Sequence, residues 1–542
     1  MIRADAALGL LLAFPPHPGQ PRDPYQRQPG IDVDHYAFQL VLTDASDEIT
    51  GNATVDVRFV TDGLQAFELD LASVTDGKGM TVAAVSAGRA ALRFTHTADR
   101  LRIALDRPSR AGERRAFTVG YRGVPATGLR IGPNKHGDRT FFGLNWPDRA
   151  RHWLPMIDHP HDKATSEFIV TAPAHYQVVA NGVLLEELDL GDGNRRTHWK
   201  QSVPIASWLN AIGVAHFAAK HFGSARGVPL QTWVFSQDRE AGVATFEVPV
   251  RQAIEFFSEK IGEYPYEKLA NVQAAGLGGG TEHASVIFYG ENSVTERPAT
   301  NLVAHEIAHQ WFGNSVTERD WEDVWLSEGF ATYFTLLFTE HHSGRDAFVA
   351  GLERNRTRVL ATEKSSPGKP VVHASLTDVR QVLSPSAIIY QKGGWVLHML
   401  RGQVGTETFW SGIREYYGRY RDRNASTAEF RRIMEEASGQ DLAWFFEQWL
   451  TRPASPALEG GWRWDAAARQ LIVELAQTQA GEPYRLPLEV GIASPGAPQE
   501  RIEKVVLDAR QGRYAISLDA EPSTVRLDPQ VWLLFEARFD KR

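Results

Sequence analysis

Apolar and polar residues alternate along the first third of the chain. Tyr36, Phe38, Leu40 and Leu42 are spaced two apart, as are Val55, Val57 and Phe59, then Leu101, Ile103 and Leu105, then Phe117, Val119 and Tyr121. A period of two puts each set on one face of a strand. Short strands with turn residues between them predict an antiparallel, sandwich-like β domain that runs through Phe168-Ile169-Val170 to about residue 212. The period then lengthens. Val250, Ile254, Phe257 and Ile261 follow helical spacing and stop at Gly262. Helical texture continues to about Leu450, and Ser426-Thr427-Ala428-Glu429 fits a capping box before Phe430 and Ile433. After Arg452-Pro453 the period of two returns at Leu471, Val473 and Leu475, then at Leu486, Leu488, Val490 and Ile492. The predicted architecture is multidomain α+β: a β domain over 24–212, a mainly α domain over 213–452, and a small β-sandwich over 453–542.

Two segments of the middle region are too apolar to lie on a surface. Leu302-Val303-Ala304 through Ile307, Ala308, Trp311 and Phe312 has no Gly or Pro until Gly313, which predicts a buried helix with Asn301 as its N-cap. Ser327 to Phe338 predicts a second, entered by Glu328 and followed by almost no charge. The polar residues these helices do carry form a pattern. His305-Glu306-Ile307-Ala308-His309 reads H-E-x-x-H, and Glu328 follows after eighteen intervening positions. Histidines four apart share a helix face, so both imidazoles can reach one metal ion. Glu328 supplies a third ligand, completing the His, His, Glu set of an open catalytic zinc site, and Glu306 stands beside as a base. The plain alternative is a pair of core histidines and a helix-capping glutamate. It leaves unexplained why a carboxylate should enter an apolar helix without a cation to meet it. The pattern points to metal-assisted hydrolysis of an acyl bond, a peptide above all.

Composition narrows this picture. A length of 542 residues allows roughly two to four domains. Lys and Arg number 58 against 66 Asp and Glu, a net charge of −8 with no long basic run, so nucleic acid is not an implied partner. The chain has no cysteine, which excludes disulfides and thiolate metal sites and restricts zinc to nitrogen and oxygen ligands. No apolar stretch reaches the length of a membrane span. Ala7 to Phe14 resembles the apolar part of a secretory signal, but Arg3 is offset by Asp5 and no A-x-A site precedes Pro15-Pro16. The expectation is a soluble, cytoplasmic protein rather than an exported one.

Further motifs surround the metal pattern. Gly276-Leu277-Gly278-Gly279-Gly280-Thr281-Glu282-His283 lies upstream, its glycines permitting close approach of a substrate to backbone. With H-E-x-x-H and its eighteen-residue gap, Trp311-Phe312-Gly313-Asn314, Trp325 to Ala331, and Tyr390-Gln391-Lys392-Gly393, it resembles the aminopeptidase N family of gluzincin zinc metallopeptidases. The upstream segment stands for that family's G-x-M-E-N motif. The resemblance implies a thermolysin-like catalytic domain, one zinc ion on His305, His309 and Glu328, and Glu306 as general base and later acid. It also implies that Glu282 binds the free α-amino group of a peptide substrate, that backbone at Gly279 and Gly280 pairs with the peptide, and that Tyr390 donates to the oxyanion. Asn145 is a candidate second amine contact. Thr281 and His283 replace the family's usual Met and Asn, Ser327 stands where Asn is common, and the helical C-terminal domain of many relatives is expected to be missing. The alternatives are a zinc endopeptidase or epoxide hydrolase on the same fold and, last, a catalytically silent scaffold.

Overall fold

The structure, a computed structural model, describes residues 23–373, 376–494, 496 and 499–542. The signal-like segment Ala7 to Phe14 lies outside them. The first region is built on an eight-stranded sheet whose central members are Ile31–Val41, Ile49–Phe59, Arg114–Val124, Lys163–Pro173 and Asn194–Ala206. Its alternation is the one in the sequence: Tyr36, Phe38, Leu40, Val55, Val57, Phe117 and Val119 all point into one core. The sheet is not wholly antiparallel. Ile31–Val41 pairs antiparallel with Ile49–Phe59 but parallel with Lys163–Pro173, with Phe38 opposite Phe168. The long excursion between residues 59 and 163 brings the chain back in the same direction, as a parallel pairing requires. A second sheet joins Leu129–Pro133, Arg139–Gly143, Gln177–Ala180 and Ile212–Ala215. Its last strand crosses the boundary expected at residue 212.

The middle region opens with a sheet before turning helical. Phe217–Ala225, Val228–Phe235, Leu269–Ala274, Val286–Gly290 and the two-residue edge strand Gly280–Thr281 form it. One face, carrying Phe217, Phe235, Val272 and Phe288, belongs to the core of the first region. The helices follow: α1 (Arg239–Lys260), α2 (Thr300–His309), α3 (Trp325–Ser343), α4 (Arg345–Ser365), a π-helical turn over Ile388–Lys392, α5 (Gly393–Val404), α6 (Thr406–Tyr420), α7 (Thr427–Ser438) and α8 (Ala443–Thr451). The capping box at Ser426 is formed, with Ser426 N donating to Glu429 Oε2 at 2.8 Å. Asn301 is not the N-cap of α2: the helix starts two residues earlier than that cap would set it, at Thr300 behind Ala299, and Asn301 lies within its first turn. Pro298 precedes that start, its fixed φ favouring a chain entry there.

Helices α2 and α3 pack against one another, and Val303 and Ile307 of the first share one core with Phe330, Phe334 and Phe338 of the second. Close approach is extreme where α3 meets the start of α5: a Cβ on Gly329 would lie 2.9 Å from the Gly393 carbonyl carbon. The last region is two small sheets. Ala457–Asp465, Gln470–Gln477, Gln511–Ser517 and Glu536–Lys541 form one, and Leu486–Ala493, Arg501–Leu507 and Thr524–Leu527 the other. Their inward residues, among them Leu471, Val473, Leu488 and Val490, continue the helical core. Among the described residues, no helix is long and apolar enough to cross a membrane.

Candidate metal centre and substrate cleft

Helix α2 presents His305 and His309 one turn apart, and α3 brings Glu328 in its first turn to face them. The two Nε2 atoms are 3.2 Å apart, and Glu328 Oε2 lies 3.6 Å from that of His305 and 3.3 Å from that of His309. Two further contacts orient His309. Its Nδ1 is 3.3 Å from the Phe312 carbonyl and 3.0 Å from Ser327 Oγ, which leaves Nε2 for the shared centre. Ser327, a departure from the family pattern, therefore has a defined place here. His305 packs its ring parallel to that of Tyr390 at 6.1 Å.

The residues fit a zinc ion. Two imidazole nitrogens and one carboxylate oxygen converge within 4.8 Å of one another, the donor set and openness expected of a hydrolytic zinc site. Glu328 Oε2 is buried and has no hydrogen-bond donor of its own, which is costly unless a cation meets it. The carboxylates make the field around the centre strongly negative. Burial opposes a charged imidazole at His309, yet Glu282 and Glu328 outweigh it and push it up to about 10. Burial would raise Glu328, but the two histidines bring it down to about 2.

Three more side chains share the centre. Glu306 is 4 % exposed, and burial followed by the charge of Glu282 holds its carboxyl well above the usual range. It lies against backbone at Gly280, where a Cβ would collide with its carboxyl group. Glu282, 7 % exposed, groups with Glu306 and His309 within the same 4.8 Å. Its backbone carbonyl is held by Gln310 Nε2 at 3.0 Å and by Asn314 Nδ2. Tyr390, in the π-helical turn, donates its hydroxyl to Glu328 Oε1 at 2.6 Å. Burial and then Glu328 keep that phenol protonated. Single π-helical turns of this kind are frequent at functional sites.

Of these groups, Glu282, Glu328 and Tyr390 line a cleft of ≈ 290 Å³ whose other walls include Trp146, Arg149 and Thr281. The structure corrects two expectations about it. Asn145 is fully buried, its Nδ2 donating to the Asn210 carbonyl at 2.6 Å and its Oδ1 accepting from Trp153 Nε1 at 2.7 Å. Both ends of its amide are spent on packing, so it is withdrawn from the amine pocket. Gly279 turns its carbonyl inward to accept from Gly290 N at 2.8 Å, so the outward backbone at Gly280, on the sheet edge, is what a peptide can meet. His283 is also turned away, fully buried and edge-on to Phe288, whereas Thr281 faces the cleft.

Four residues near the site carried no readable role in the sequence. Gln310 and Asn314 fix the Glu282 backbone, and Arg149 lines the cleft from the first region. Glu318 lies nearby, with neither carboxyl oxygen hydrogen-bonded, and burial pushes it up to about 8. Asn314 stood in a recognisable motif. Nothing in the local pattern separates Arg149 or Glu318 from a solvated charge.

Comparison with known proteins gives a consistent set of matches. The family description "Peptidase family M1 domain" matches residues 246–449, and "Peptidase M1 N-terminal domain" matches residues 33–209. Glutamyl aminopeptidase of Homo sapiens is 29 % identical over 330 residues, covering 58 % of this chain and 34 % of that protein. Aminopeptidase N of Streptomyces lividans is 27 % identical over 501 residues, 86 % of this chain and 57 % of that one. The chain thus spans about a third of the length of the glutamyl aminopeptidases it matches. A crystal structure of an M1 zinc metallopeptidase from Deinococcus radiodurans superposes with a TM-score of 0.67 at 26 % identity, covering 79 % of this chain and 95 % of that one. A variant of the same metallopeptidase, bound to a Tyr-Ser-Ala substrate, gives 0.68 at 26 % identity, with 79 % and 96 % coverage.

Proposed function

The chain belongs to peptidase family M1, and from that premise we propose that it is a zinc-dependent aminopeptidase that removes the first residue of peptides with a free N-terminus. The observation that carries the reading is the meeting of two buried groups in one cleft: His305, His309 and Glu328 on one side, Glu282 and Glu306 with His309 on the other. The first set suits one zinc ion, which when bound supplies a Lewis acid and a water of lowered pKa, about 7 in well-characterised sites.

The chain's own residues do the rest. Glu306, beside the centre, takes a proton from the attacking water and returns it to the leaving amine. Glu282 receives the substrate's α-ammonium group, whose charge the two carboxyl groups lining the cleft, Glu282 and Glu328, favour. Anchoring the amine there fixes the distance to the first peptide bond and makes the enzyme an exopeptidase. Backbone at Gly280, with the amide of Gly279 behind it, aligns the peptide along the sheet edge. Tyr390 shifts its hydroxyl from Glu328 to the carbonyl oxygen as charge develops there, a preorganised donor whose removal typically costs about a hundred- to a thousandfold in rate. The same reading divides the chain into units of 24–212, 213–452 and 453–542, with the first extended to Ala215 by its last strand.

A panel of aminoacyl chromogenic amides, each paired with its N-acetylated form and assayed with and without chelator, tests the proposal. Hydrolysis should require the free amine, disappear with chelator and return with zinc. Equal turnover of acetylated and free substrates would make the protein an endopeptidase, and insensitivity to chelation would remove the metal.

A further inference from the structure

The cleft does not end at Glu282. Leu144, Arg149 and Gly276 also wall a second cavity of ≈ 360 Å³, so the two lie side by side along one groove line between the first region and the glycine-rich edge. Charge reverses along it. At the metal end stand Glu282, Glu306 and Glu328, all buried. At the far end stand Lys78, Arg130 and Arg149. The carboxylate lining that end, Asp47, is committed to Arg139 Nη2 at 2.7 Å.

Among the described residues, no ion pair is made by any of these three cations. Arg149 is exposed, and among the described residues its guanidinium has neither a hydrogen bond nor an ion pair; the same is true of the Lys78 ammonium. Arg130 donates from Nη2 to the Pro133 carbonyl at 3.1 Å, while its Nη1 is buried without a partner. Its side chain lies against Gly276, where a Cβ would collide with it. That glycine lets the guanidinium lie at the seam of the two cavities. Three cations lining one cavity repel one another unless an anion joins them, and the planar guanidinium fork matches a carboxylate best.

We propose that the basic end of the groove is a subsite for a substrate carboxylate lying beyond the scissile bond, so that the preferred substrates are short peptides with amine and carboxylate held at opposite ends. This rests on the aminopeptidase reading above. The carboxylate comes from the C-terminus of a short peptide or from an acidic side chain after the cut; the chemistry of the subsite is the same for both.

The test uses the zinc-loaded full chain and peptides of two to four residues, each as free acid and as C-terminal amide. Amides with Glu at the second or third position and an aminoacyl arylamide complete the set. The free acid should exceed its amide in kcat/KM by about tenfold to a hundredfold, mainly through KM. Arg149→Gln should erase that ratio. Arg149→Glu should invert it in favour of the amide, a reversal that a merely structural arginine would not produce. A Glu-containing amide that regains the rate identifies the side chain as the source, and one that does not identifies the terminus. Equal rates for acid and amide at every length, or a ratio unchanged in both Arg149 variants, overturns the subsite while arylamide turnover leaves the aminopeptidase standing. Loss of arylamide turnover in the wild type overturns the aminopeptidase reading, and the subsite falls with it.

Discussion

Glu306 and Tyr390 flank the same centre but owe their places to different neighbours, and their variants should fail differently. Glu306→Gln keeps the size of the side chain against Gly280 and leaves His305, His309 and Glu328 untouched. It should retain one zinc per chain by metal analysis and lose about a thousandfold or more in kcat, within the range attributed to a positioned general base and its proton return. Wild-type turnover in that variant would sink the assignment. Tyr390→Phe removes only the hydroxyl that now rests on Glu328. Its kcat should fall about a hundred- to a thousandfold with KM little changed; a loss confined to KM would instead make Tyr390 a binding residue. At this scale the sequence was most informative where chemistry and helical period coincide, as at His305 and His309. It misled at Asn145, because an amide in a loop reads the same whether its partners are a substrate or the Asn210 carbonyl and Trp153.

At the scale of elements, the π-helical turn that carries Tyr390 is anchored from behind. Lys392, two residues on, buries its ammonium against Glu363 Oε1 of α4 at 2.8 Å, with side chains 1 % and 9 % exposed. Glu363 in turn accepts from Ser455 N at 3.0 Å and Oγ at 2.9 Å, at the entry to the last β region. Removing one partner of such a pair leaves a buried charge unmatched. Lys392→Met should cost about 3–5 kcal/mol, seen as a lower Tm with metal bound. The double variant Lys392→Met/Glu363→Leu should recover much of it; equal losses in single and double variants would show that packing, not charge, is at stake. The helical period of α1, the burial of α3 and the capping box of α7 were all legible beforehand. The start of α2 was not, since Asn301 has the chemistry of a cap and the chain geometry after Pro298 chose otherwise.

Across the whole molecule, the first region grips the catalytic region beside its site. Lys163 donates to the carbonyls of Asn314 at 3.0 Å and Ser315 at 2.7 Å, and Asn181 to that of Ala284 at 2.7 Å. Burial brings Lys163 down to about 7. Its neighbour Asp162 is pushed up to about 7 by burial, with Oδ2 3.5 Å from Val33 N and Oδ1 unpaired. A carboxyl whose folded-state pKa lies above its unfolded value binds its proton more tightly in the native state. Its contribution is intact below the unfolded pKa of about 3.9 and is lost as pH rises towards 7, with a slope of up to about 1.4 kcal/mol per pH unit. Asp162→Asn should flatten that part of the profile and raise stability at pH 8 relative to pH 5. Denaturant unfolding of chelated wild type and variant at both pH values measures it; parallel profiles would place the titration elsewhere.

The sequence by itself determined the order of β, helical and β regions and the residues able to hold a zinc ion, because periodicity and ligand spacing are local properties of a chain. It also indicated the resemblance on which the proposed amine anchor rests. Tertiary structure decided what local pattern cannot encode: the parallel return of Lys163–Pro173, the withdrawal of Asn145 into packing, and the opposition of buried carboxyl groups to the basic side chains of Lys78, Arg130 and Arg149. Each depends on partners that the local pattern does not name, 65 positions away for Asn145 and Asn210 and about 130 for the paired strands, and a side chain's partners, unlike its period, exist only once those segments meet.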